Sequence, residues 1–123
     1  MWIPYNPNPR GNRVGDCVIR ALTIALGCDW DEAFTILCAH AYNIKDMPSA
    51  DYVWGDLLLS RGFRAVSMPD MCPRCYTVRE FCQDHPHGLF LLSSSSHVVA
   101  AQAGDYFDAW DSGDTVPTMI YTR

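Results

Sequence analysis

The sequence has no run of lysines and arginines, no long apolar stretch and no secretory leader. Each gap removes a class of function. Without a basic run, and with a net charge of −5, the chain offers nothing to a phosphate backbone, so a nucleic-acid partner is not expected. No apolar stretch approaches the ~18 residues of a membrane span, so no membrane association is expected either. The opening residues, MWIPYNPNPRGNR, lack the apolar core of a signal peptide and are broken by Pro4, Pro7 and Pro9. Internal repeats and linkers are missing, and the only low-complexity tract is the four-serine run at 93–96.

The composition that remains is globular. Hydrophobic residues make up 49% and charged residues 19% of 123 positions, which suits one domain, 1–123, with a core of its own. Six cysteines, Cys17, Cys28, Cys38, Cys72, Cys75 and Cys82, come without a secretory leader. They read as thiols in a reducing compartment, so a cytoplasmic location is expected.

Residues 1–15 read as irregular, punctuated by proline and glycine. A helical pattern starts at Cys17 and stops at Gly27, with Val18, Leu22 and Ala25 on one face. Asp29 can cap a second helix whose apolar stripe is Trp30, Ala33, Phe34, Leu37, Cys38 and Ala41. A third, opened by Ser49, covers Ala50 to Ser60. Phe63 to Met68 reads as a strand, and Thr77 with Glu80 forms a capping-box pattern for a short helix ending near His85. Strands are expected over 89–92, 97–102, 106–110 and 118–122. Helices first and strands later predict an α+β fold, an N-terminal helical lobe packed on a C-terminal antiparallel sheet.

The chemistry centres on GDCVIRALTIAL, residues 15–26, which sets a thiol at a helix N-terminus. Free cysteine is among the most buried residue types, so Cys17 alone would read as core packing. The positive end of a helix and a nearby imidazolium both lower a thiol's pKa, and the thiolate is the nucleophile. Of the four histidines, His40 flanks an apolar stripe, and His85 and His87 surround a proline in a turn. His97 opens the strand HVVAA and is the candidate base. A three-residue hairpin loop centred on Gly104 would set His97 opposite Asp111, each seven residues away, so that Asp111 would orient the imidazole. A two-residue turn would shift the parity and bring Asp108 or Ser112 to that face instead. Trp110 would shield the His–Asp hydrogen bond from water.

This layout resembles the papain-like cysteine peptidase superfamily. Cys17 in GDCVIRAL, His97 in SHVVAA and Asp111 in DAWDSG follow its order, over roughly residues 5–115. It is similar to the compact single-domain members of bacteria and their phages, and its Asp-Cys pair to the peptidase domains that trim bacteriocin leaders. The resemblance implies a central nucleophile helix packed on a twisted antiparallel sheet, with the active site in the crevice between them. It implies hydrolysis of a peptide, isopeptide or other amide through a thioester acyl-enzyme, with no cofactor. The family usually places a glutamine shortly before the cysteine to hold the oxyanion. Here none precedes Cys17, and Asn12 is the nearest candidate amide, with the Cys17 N–H as second donor.

Two other readings stand beside this one. A papain-fold binding or inhibitory module, for example one encoded by a phage, would keep the fold and lose the activity, as the missing glutamine suggests. A structural zinc site would use Cys72, Cys75, Cys82 and His85, since CPRC has the spacing of half a zinc site and Cys82 and His85 lie three residues apart. Cys82 shares the expected core face with Val78 and Phe81, which argues against it.

Overall fold

A computed structural model describes residues 1–69 and 74–123. Four helices pack against one six-stranded sheet. Helix α1 spans Cys17–Leu26 and ends at Gly27, whose left-handed φ of 65° lets its N–H reach the Thr23 carbonyl. It is buried nearly all round, at Ile19, Arg20, Ala21, Leu22, Thr23 and Ala25, because it lies between the sheet and the next helix. Helix α2, Trp30–Ile44, starts on the Asp29 carboxylate, which accepts the Glu32 N–H at 2.8 Å. Its stripe narrows to Ala33, Leu37 and Ala41 in the core, while Phe34 stays half exposed and stacks on Trp30. Helix α3, Asp51–Ser60, takes Ala50 rather than Ser49 as its cap residue and buries Val53, Trp54, Leu57 and Leu58.

The strands are β1 Trp2–Pro4, β2 Arg64–Ser67, β3 Leu89–Ser93, β4 Val98–Gln102, β5 Asp105–Asp108 and β6 Met119–Thr122. They lie in the order β1-β5-β4-β3-β6-β2. Alternation along the central strands sorts the core into two layers. Leu91, Val98 and Ala100 face α1, α2 and α3. Leu92, Val99, Ala101, Tyr106 and Ile120 face the other way, against α4, Val78–Asp84. The expected capping box of Thr77 and Glu80 starts α4.

The architecture departs from expectation in three places. The sheet is not wholly antiparallel: β1 pairs parallel with β5, from Trp2 opposite Tyr106 to Pro4 opposite Asp108. Residues 2–4 are therefore an edge strand, a position that tolerates proline. The helices do not form one lobe, since α4 covers the opposite face. Third, the β4–β5 hairpin turns on two residues, not three. Ala103 and Gly104 both have positive φ, 54° and 82°, and Gln102 pairs with Asp105.

The hairpin and α1 bring three chain positions together. Cys17 begins α1, which packs on β4. His97 immediately precedes β4, and Asp108 ends β5. The four-serine run is the tight connection from β3 to β4, where the Ser94 N–H donates to the His97 carbonyl at 2.8 Å and fixes the backbone that carries the imidazole.

Candidate functional site

Cys17 is a half-buried free thiol. Burial raises its pKa, but hydrogen bonding with His97, the Val98 backbone N–H, and the charges of His97 and Arg20 outweigh burial and leave it below the ordinary thiol value. Asp16 makes no side-chain cap on the helix, because its carboxylate is turned to Arg20 and Trp30. The first-turn N–H groups, Cys17's among them, are thus left without a side-chain cap at the positive end of α1.

His97 Nε2 lies 2.6 Å from Asp108 Oδ2, which leaves Nδ1 for the thiol. Burial works against a charged imidazole here. The Asp108 hydrogen bond, the Cys17 hydrogen bond and the charges of both groups prevail, and the pKa rises to about 9. The His97 ring lies beside Trp110, with 4.9 Å between centroids and 45° between the ring planes.

Asp108 has no exposed surface, and both its oxygens are engaged. Oδ1 accepts from Arg20 Nη1 at 3.0 Å and from the Ala109 N–H at 2.8 Å. Oδ2 accepts from Ser112 Oγ at 2.6 Å as well as from His97. Burial raises its pKa, but bonding to His97, Ser112 and the Ala109 N–H overrides burial and holds the carboxyl below its ordinary value. The Asp108 carbonyl is held too, by the Tyr5 N–H at 2.8 Å and Trp2 Nε1 at 3.0 Å.

Asp111, expected beside His97, is elsewhere. It accepts from the Tyr106 hydroxyl and the Gly113 N–H, with Arg79 at 3.4 Å. The reason is the two-residue turn. Counting outward from Ala103–Gly104 sets His97 across from Trp110, so even-numbered positions, Asp108 and Ser112, share its face. Asn12 does not reach the thiol's surroundings. It is exposed, its carbonyl accepts from Asn6 Nδ2, and the hollow beside Cys17 and His97 is lined instead by Arg13, Val14 and Gly15.

In the sequence alone Arg20 has no assigned role, and Asp16 enters only as half of the Asp-Cys pair. Arg20 is a lone charge inside the apolar run CVIRALTIAL, and that was the available signal, since arginine is rarely buried unless paired.

Three hollows meet at Cys17. One of about 90 Å³ is walled by Ser93 to Ser96, Trp54 and Asp51. One of about 300 Å³ lies between Arg13 and Trp110. One of about 380 Å³ runs between Val18, Phe34, Leu37 and Pro48. The thiol is therefore open to approach from more than one side.

For the zinc alternative, Cys72 lies outside the described residues. Cys75 is exposed, while Cys82 is buried and burial pushes its thiol up to about 11. The His85 ring stacks on Phe81 at 3.9 Å between centroids, with Nδ1 at 2.8 Å from the Phe81 carbonyl. Cys82 thus serves the core, and no group of three His, Cys, Asp or Glu among the described residues could hold a metal. Among those residues, no helix is long and apolar enough to cross a membrane. No family model, curated protein or solved structure matches this chain.

Proposed function

We propose that this protein is a papain-like cysteine hydrolase acting on a peptide, isopeptide or other amide. One observation carries the reading. The Cys17 thiol at the start of α1 lines the same two hollows as His97, whose Nε2 is 2.6 Å from a fully buried carboxylate, and His97 lowers the thiol's pKa. A thiol packed merely as a small hydrophobe needs neither partner.

In this reading the Cys17 thiolate attacks the substrate carbonyl carbon, and the carbonyl π electrons move onto oxygen. The first-turn N–H groups of α1 receive the oxyanion, in place of the expected Asn12 amide. When the tetrahedral adduct collapses, the C–N bond breaks and His97 gives its proton to the departing amine. A thioester remains on Cys17. His97, now neutral, takes a proton from water as the water oxygen attacks the thioester, and C–S cleavage restores the thiolate–imidazolium pair. Asp108 keeps the imidazole oriented throughout. No cofactor enters. A thiolate nucleophile suits a reducing compartment, and we place the protein in the cytoplasm of a bacterium or in a phage-infected cell.

The second reading is a papain-fold binding or inhibitory module. The observation that favours it is the absence of any side-chain amide among the residues lining the hollow of Arg13 and Trp110. Alkylation of Cys17 by iodoacetamide against pH, resolved from the other thiols by mass spectrometry, tests the ion pair on which the hydrolase reading depends. Fast labelling well below pH 8, slowed in His97→Ala, is the expected result. Labelling like that of an ordinary thiol near pH 8.5, unchanged by the substitution, overturns it.

A further inference from the structure

Behind His97 and Asp108 lies a second charged layer that the hydrolase reading does not require. Arg20 sits three residues after Cys17 on α1 and is 6% exposed. Its Nη1 reaches Asp108 Oδ1 at 3.0 Å and its Nη2 reaches Asp16 Oδ1 at 2.9 Å. Its Nε is buried with no partner among the described residues, so the guanidinium binds only through these two contacts. Asp16 is buried as well, and its second oxygen accepts from Trp30 Nε1 of α2 at 2.9 Å. One cation thus joins the residue before the thiol to the carboxylate behind the imidazole, with Arg20 and Asp108 88 positions apart in sequence.

We propose that Arg20 and Asp16 are positioning residues of the site: Arg20 holds Asp108 in the orientation that serves His97, and the opposed charges of the two residues set the pH window of the Cys17–His97 pair. The inference rests on the hydrolase reading. Its physical content is a charge count. Asp16, Arg20 and Asp108 together carry −1, and the Cys17 thiolate and His97 imidazolium add nothing to that sum. Arg20 keeps a counter-charge on buried Asp108 when His97 gives up its proton, so the carboxylate stays ionised through the cycle. Asp16 returns the negative charge that Arg20 would otherwise cancel.

The groups around the pair are few. Asp16, Cys17 and Arg20 come from α1, Asp108 from β5, Asp51 from α3 on the small hollow, and Arg13 from the segment before α1. Ser112 and Trp110 contribute a hydrogen bond and a ring without charge. Among the charged groups of the described residues, only Asp16 and Arg20 are both buried and joined to Asp108, Arg20 directly and Asp16 through it.

The test is the pH dependence of Cys17 carboxymethylation by iodoacetate, in which the thiolate displaces iodide. The reagent's own charge is drawn by the imidazolium, so the rate falls when either Cys17 is protonated or His97 loses its proton. Wild type should give a bell. Asp16→Asn removes a negative charge and should move both limbs to lower pH. Arg20→Gln removes a positive charge and should move both limbs to higher pH, each shift on the order of one unit. Arg20→Lys, which keeps the charge, should keep the wild-type limbs at a reduced maximum rate. Damage to the fold alone lowers the rate at every pH and cannot move the limbs in opposite directions.

A wild-type bell with limbs unmoved by Asp16→Asn, or moved upward, overturns the positioning roles and leaves the hydrolase reading standing. A wild-type profile with no bell overturns both. Should Arg20→Gln fail to fold, the direction of the Asp16→Asn shift decides alone.

Discussion

Asp108, not Asp111, is the carboxylate on His97: Nε2 and Oδ2 stand 2.6 Å apart, and Asp108 has no exposed surface. The two aspartates are three residues apart, and the difference between them is one residue of hairpin turn. Asp108→Asn should therefore slow Cys17 alkylation at pH 6 by at least about tenfold, since a neutral amide no longer supports the imidazolium. Asp111→Asn should leave that rate within about twofold of wild type. The same labelling assay measures both.

The contribution of His97 to stability should fall as pH rises from neutral. The folded pKa of His97 is about 9 against an ordinary 6.5, so the folded protein holds that proton more tightly than the unfolded chain. The stabilisation is complete below about 6.5 and is lost as pH climbs through about 9. Cys17, whose pKa is lowered on folding, contributes in the opposite sense, so the test removes it: in Cys17→Ser, thermal melts between pH 6 and 9.5 should show a declining Tm, and adding His97→Ala should flatten the decline.

Leu22 lies at the centre of α1 with no exposed surface. Leu22→Ala should cost about 2–5 kcal/mol, the range for cavities that collapse only in part, and denaturant melts will read it.

A methyl group on Gly113 would stand 2.3 Å from the Tyr106 hydroxyl and 2.6 Å from Arg79 Nη2. Gly113→Ala must push that cluster apart and should destabilise the protein by about 1–3 kcal/mol in urea. The Tyr106–Asp111 contact is the one expected to break.

Much of this architecture is legible in the residues, for local reasons. Asp29 with Glu32, Thr77 with Glu80, and Gly27 mark helix ends because each satisfies backbone groups nearby in sequence. Cys17 and His97 were legible because each sits at the start of a regular element. The turn was not. Ala103 takes a positive φ that side chains seldom adopt, so the residues Ala-Gly did not announce a two-residue hairpin, and the parity argument settled on Asp111. Strand β1 has three residues, ends in proline and finds its partner about a hundred positions away, beyond the reach of any periodicity. Asn12 is a candidate by its amide and its nearness in sequence, and nearness in an irregular segment does not say which way a side chain turns.

The parallel pairing of β1 with β5 also bears on when the thiol becomes reactive. Trp2 and Tyr5 hold the Asp108 carbonyl, and Arg20 holds its carboxylate, across separations of up to 106 residues. Such non-local contacts form late in folding, and a ribosome delivers the N-terminal half first. While the nascent chain ends short of residue 108, Cys17 has no oriented imidazole and behaves as an ordinary cysteine. In the proposed reading the thiol is thus armed only once the chain has been made through residue 108.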